Sequence, residues 1–132
     1  FAPAGVRTWL PVAADYPTRN VAVQSQDPTS MLSFFRALTA LRQAEPALTI
    51  GAYRSLDVGV ADVFAYERNH GDSRFLIALN FGGEPRQLDL SAVGERAEVV
   101  LSTEMTPSRP VTLAMLDLRP NEGLIVRVAP CT

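Results

Sequence analysis

Between Asp27 and Glu45 the large apolar residues return every three or four positions, at Met31, Phe34, Phe35, Leu38 and Leu41, while Ser33, Arg36, Thr39 and Gln43 fall on the other side. That period predicts one amphipathic helix with a wide apolar arc. Asp27 is expected to cap it, with Pro28 at the first helical position, where a missing N–H leaves no partner wanting. Pro46 stops the helix by disfavouring helical geometry at Glu45. Arg42 lies inside the apolar arc, close to the end whose free carbonyls favour a cation. Burying one large apolar side chain stabilises by about 1.5–3 kcal/mol, so such an arc demands a substantial partner surface. A cation within it is expected to sit where two bodies meet.

Ahead of the helix, residues 1–26 carry Pro3, Gly5, Pro11 and Pro17 with aromatic rings at Phe1, Trp9 and Tyr16. No helical or alternating period survives these breakers, which predicts a long loop. Long structureless loops are uncommon in compact domains and are often functional or anchored on a neighbouring body. Past Leu48 the pattern shifts to short strands and tight turns. Ile50 to Leu56 reads as an edge strand, and Asp62 to Arg68 alternates weakly. Arg74 to Phe81, "RFLIALNF", is apolar on both faces and reads as a central strand covered on two sides. "NHGD" at residues 69–72 between these two is a hairpin signal. Further strands are expected from Arg86, Arg96, Pro110 and Gly123, each set off by Gly, Pro, Asn or Ser. Together they predict a mainly β fold, an antiparallel β-sandwich. Phe64, Phe75 and Phe81 follow the strand alternation and are expected in its core.

Composition narrows the class. Hydrophobic residues at 47% and charged residues at 20% are a globular balance. All twelve basic residues are arginine, yet they are scattered and the net charge is −2, so no nucleic-acid partner is expected. No apolar run reaches the length of a membrane span, so no membrane partner is expected either. The lone Cys131 excludes an internal disulfide, which fits a cytoplasmic compartment without fixing one. The chain begins at Phe1 rather than Met, as a processed or excised piece of a longer protein would.

Catalytic constellations are scarce. His70, the single histidine, falls in the hairpin turn with no second ligand near it and reads as a solvated turn residue. Cys131 has no activating base in sequence and reads as an inert thiol. None of the serines sits in a nucleophile elbow. A glycosidase would need two facing carboxylates. However, Asp57, Asp62, Asp72, Glu84, Glu95, Glu98 and Asp117 fall at turns and strand ends, where solvation is expected, and Glu122 is expected to make a surface pair with Arg119. No catalytic residue and no metal ligand is therefore assigned. Trp9 and Tyr16 remain as ligand-contact candidates in the opening loop, although rings of this size also serve to staple a loop to a neighbour. No strand is expected to show a row of exposed aromatic rings, which counts against a free-standing sugar-binding module.

"WLPV" at Trp9, "NVAVQ" at Asn20, "LTALR" at Leu38, the Pro46–Ala47–Leu48 triplet with Gly51 and Tyr53, "LIALNFGGEP" and "LRPNEGLIV" occur in an order and spacing that resemble the C-terminal portion of α-amylase-superfamily glycoside hydrolases, in the α-glucosidase and oligo-1,6-glucosidase branch. The resemblance implies that residues 1–48 are the rim loop and last helix of a (β/α)8 catalytic barrel, and 49–132 a C-terminal β-sandwich domain. It implies a parent enzyme cleaving α-glucosidic bonds with retention, its catalytic acids lying upstream of Phe1 and its substrate an oligosaccharide or α-glucoside. The partner of this chain would then be the upstream barrel. Calcium is compatible with such a parent, but no oxygen-rich ligand cluster occurs here. The alternatives are a stand-alone carbohydrate-binding module and a protein-interaction module.

Overall fold

The computed structural model describes residue 3 and residues 5–130, so the Phe1 ring and the Cys131 thiol lie outside the described residues. Chain order is α1 (Val21–Gln24), α2 (Met31–Ala44), a 3₁₀ turn at Pro46–Leu48, β1 (Ala52–Leu56), β2 (Val63–His70), β3 (Ser73–Asn80), β4 (Arg86–Leu88), β5 (Arg96–Ser102), β6 (Arg109–Thr112), a 3₁₀ turn at Leu113–Met115, β7 (Leu116–Leu118) and β8 (Gly123–Val128). Six strands form one sheet in the order β1-β2-β3-β8-β5-β6, and β4 pairs with β7 in a small ribbon. Every pairing is antiparallel. The sandwich is thus lopsided, a broad sheet backed by a narrow ribbon.

The alternation along β3 explains the layering. Leu76 and Ala78 point to one face, where Leu88, Leu116 and Leu118 of the ribbon meet Val99, Leu124 and Val126 of the sheet in the main core. Phe75 and Ile77 point to the opposite face and pack on Ala47 and Leu48 of the first 3₁₀ turn. Residues on successive positions of a strand face opposite ways, so a strand covered on both sides must be apolar throughout. β3 is such a strand, as its sequence predicts. The β2–β3 hairpin closes through Gly71 and Asp72, with Gly71 at φ +55, the left-handed geometry that a two-residue turn requires. β1 is an exposed edge, also as expected.

Several expectations are corrected. The stretch before Asp27 contains a short helix, α1, capped by the Asn20 side chain on the Val23 N–H. The long helix starts at Met31 rather than Pro28, and its cap is Ser30, whose side chain accepts from Ser33 N. Asp27 instead closes a turn, accepting from the amide and the hydroxyl of Thr29 at 2.8 and 2.7 Å. The stretch from Pro110 does not run as one strand, because the 3₁₀ turn at Leu113–Met115 lets it leave the sheet at β6 and enter the ribbon at β7. Phe81 lies just beyond β3 and is 71% exposed, and Phe64 is 43% exposed on the outer face of β2, so only Phe75 of the three is core.

Candidate functional site

Two features remain once the core is accounted for, the opening loop and the outer face of the sheet. The loop folds on itself through Tyr16 N to Ala13 O (3.1 Å), Thr18 N to Asp15 O (3.0 Å) and Asn20 Nδ2 to Tyr16 O (2.9 Å). Trp9 and Tyr16 line the same concavity, together with Pro11, Pro17 and Val21. The structure therefore brings the two sequence candidates together. Trp9 is 93% exposed in this chain, as a ring that contacts a ligand or staples the loop to a neighbouring body would be. The loop is tied to α2 by Ser30 Oγ donating to Gln24 O (2.7 Å) and Leu32 N donating to Gln24 Oε1 (3.2 Å).

On the outer face of the sheet, a groove of about 350 Å³ runs beneath α2. Phe34, Leu38 and Arg42 form the helix wall; Tyr66, Ile77 and Ile125 form the floor. No residue of α2 is fully buried, and Met31 and Phe35 at its N-terminal half are 74% and 60% exposed. Arg42 is exposed at the groove and has no ion pair among the described residues. The helix is secured at its C-terminal end instead. Arg68 donates to Ala47 O (3.2 Å) and Thr49 O (3.0 Å), and Arg127 pairs with Glu45 while lying 5.4 Å from the Phe75 ring centroid. Gly51 completes this junction: a Cβ there would sit 2.3 Å from Ala47 O and 2.9 Å from Asn69 O, distances no side chain tolerates.

Sequence reasoning missed a carboxylate. Glu67 is completely buried on β2, held between Arg54 (Nε to Oε2, 2.6 Å) and Arg74 (2.8 Å to Oε1). The strand period puts Glu67 in step with Ala65, but that this face is the buried one shows only in the fold. Glu122, expected at the surface with Arg119, is 2% exposed and corrects that expectation. It accepts from Ser102 Oγ (2.9 Å) and from the Arg119 backbone N–H (2.8 Å), so it organises a turn rather than a surface ion pair. Buried carboxylates need such donors to remain in place. Glu67 and Glu122 are enclosed and engaged by protein donors, which leaves neither facing a cleft as glycosidase chemistry requires. His70 ends β2 and is exposed. Asp27 and Asp89 are held below their ordinary value of 3.8 by hydrogen bonds from the side chain and then the backbone of Thr29 and Ser91 respectively. Among the described residues no three His, Cys, Asp or Glu side chains cluster as metal ligands, and no helix is long and apolar enough to cross a membrane.

Known proteins match this arrangement. No family model matches the chain. An amino acid transporter heavy chain, SLC3A2, of Oryctolagus cuniculus is 34% identical over 140 residues, covering 95% of this chain and 26% of that protein. A salivary alpha-glucosidase of Aedes aegypti is 35% identical over 109 residues, 80% of this chain and 18% of that one. The crystal structure of trehalulose synthase from Pseudomonas mesoacidophila superimposes with a TM-score of 0.78 at 34% identity, over 92% of this chain and 22% of that one. The chain thus spans about a quarter or less of the length of the proteins it matches.

Proposed function

We infer, from a chain that belongs to the α-amylase superfamily as the C-terminal portion of its α-glucosidase branch, that the parent protein is a glycoside hydrolase cleaving α-glucosidic bonds with retention. The observation that supports this most is the structural match that covers 92% of this chain at 34% identity. In this reading residues 1–48 complete the catalytic barrel and residues 49–132 form the adjoining β-domain. Ala47 and Leu48 lie at the seam, since they leave the helix and enter the second core.

The chain supplies support rather than catalytic acids. The loop would lie at the barrel face where strand-following loops build the active site, and Trp9 and Tyr16 would there contact the sugar rim. Rings of this kind bind sugars through their apolar faces while the phenol keeps a polar contact. The Arg68, Arg127 and Gly51 junction fixes the direction in which the helix leaves the β-domain. No cofactor is assigned to these residues.

The likeness to a transporter heavy chain, which spans nearly the entire chain, favours one second reading: a parent in which the same scaffold serves as a protein subunit. Turnover of an aryl α-glucoside separates the two. The full-length parent is expected to hydrolyse it and the isolated 132 residues are not. Turnover by the isolated chain would overturn the assignment of catalysis to upstream residues, and an inactive parent would favour the second reading.

A further inference from the structure

Two sets of aromatic rings stay at least partly exposed. Tyr66 lies 5.3 Å from Tyr53 and 5.4 Å from Phe64, ring centroid to centroid, so β1 and β2 do display a row, which corrects the expectation that no strand shows one. That face is already assigned to the seam with the barrel. The other set is Trp9 and Tyr16 in the opening loop, where every residue from 9 to 19 is exposed and Asn20 is half-buried. An exposed turn has few packed contacts to hold it, so its order rests on hydrogen bonds. One side chain supplies three of them. Asn20 Nδ2 donates to Tyr16 O (2.9 Å) and to Pro17 O (3.2 Å), while Asn20 Oδ1 accepts from Val23 N (3.0 Å). A single amide thereby closes the turn that carries Tyr16 and caps α1 on its other side. Gln24, at the far end of α1, is bonded in turn to Ser30 and Leu32 at the start of α2.

We propose that Asn20 is a positioning residue: it sets Tyr16 against an outer glucose unit of an oligosaccharide, and so governs the preference for longer chains without touching the bond that breaks. The proposal rests on the reading of the parent as an α-glucosidase-type enzyme, and it names the part of the substrate that the opening loop would read. Among the described residues no carboxylate lines the concavity, so this surface binds rather than reacts. Its volume of about 990 Å³ is at the upper end for small-molecule sites, which leaves room for more than one sugar ring. The apolar walls at Trp9, Pro11, Tyr16 and Pro17 suit the faces of such rings. Asn20 is not itself free to hold a sugar as a donor, because both hydrogens of its amide are committed to the Tyr16 and Pro17 carbonyls. The reverse orientation of that amide would set its oxygen against two carbonyl oxygens, so the assignment of donor and acceptor is fixed by the turn. Its influence on a ligand therefore passes through Tyr16.

Steady-state kinetics of the full-length parent test it on two substrates, maltotetraose and an aryl α-glucoside that has no outer glucose. Asn20→Asp keeps the acceptor for Val23 N and removes both donors. Asn20→Ser keeps a good helix cap and serves should the first variant fail to fold. Each is expected to raise KM for maltotetraose about fivefold with kcat unchanged, and KM for the aryl glucoside less than about twofold. Tyr16→Ala should show the same split, and combining it with Asn20→Asp should add nothing further, since both act through one ring. An unchanged KM for maltotetraose, an equal rise on both substrates, or a full additional loss in the double variant would overturn the proposal. Calorimetric titration of maltotetraose into the same preparations keeps the two questions apart. Binding weakened by Asn20→Asp with no turnover of either glucoside sinks the enzyme reading and leaves the positioning role standing. Turnover with unaltered maltotetraose binding sinks the positioning role alone.

Discussion

Glu67 is the residue on which the sheet edge depends most. Its carboxylate is buried, while Arg54 is 58% and Arg74 32% exposed at the side chain, so the acid, more than its partners, carries the desolvation. Removing one member of such a group leaves the others facing a cavity without their counter-charge. Glu67→Ala is therefore expected to cost about 3 kcal/mol, towards the low end for broken buried pairs because the arginines retain water. Urea denaturation of the chain checks it, and a loss below that of Glu122→Ala would contradict the ranking. Glu122→Ala leaves Ser102 and the Arg119 amide without their acceptor and is expected to cost about 1–3 kcal/mol. At Asp27 the effect depends on pH. Its folded pKa is depressed, so the turn's contribution is present above the ordinary value of 3.8 and is lost as pH falls through the folded pKa. The protection of the Thr29 amide, its exchange measured relative to the intrinsic rate at each pH, should fall on acidification in the native chain, and Asp27→Asn should flatten that dependence.

Among the elements, α2 shows where local sequence decides and where it does not. Its period, its stop at Pro46 and its apolar arc are all legible, because they depend only on spacing and on proline. The start is not. Asp27 and Ser30 are both good caps, and the choice falls to Ser30 because its hydroxyl also reaches Gln24 O while Ser33 Oγ reaches Asp27 O, bonds six residues apart that no propensity encodes. Ser30→Ala is accordingly expected to destabilise the helix by about 1 kcal/mol, with Asp27→Ala smaller, read as helical ellipticity at intermediate urea. The anchoring of α2 at one end sets a second expectation. In the isolated chain its amides over residues 30–42 should exchange faster than those of β3, whose two faces are covered. Protection equal to that of β3 would mean the helix is stable without a partner. Gly51→Ala would force the backbone of Ala47 or Asn69 to move, so it should loosen the junction and α2 together.

For the molecule as a whole, the division between what the sequence shows and what it hides follows the range of the contacts. The edge strand, the apolar run of β3 and the Gly71 hairpin show in the local order of residue types and can be read directly. Phe64, Phe81, Glu67 and Glu122 cannot, because their burial is set by partners that only the sheet order brings near. The candidate site divides the same way. Trp9 and Tyr16 stand out as aromatic rings in a polar loop, whereas the Tyr53–Tyr66–Phe64 row emerges only when the β1–β2 register places alternate residues side by side. Both features lie on surfaces that this chain leaves open, and each predicts a different loss. On the proposed function, Trp9→Ala should raise the parent's KM for an oligosaccharide several-fold with thermal stability unchanged, since that reading assigns the indole to the rim and not to a core. Phe64→Ser should instead lower thermal stability in the parent more than in the isolated chain, with KM unchanged, because its ring gains burial only when the seam closes. A KM effect from Phe64→Ser, or a stability effect from Trp9→Ala, would show that rim and seam had been assigned the wrong way round.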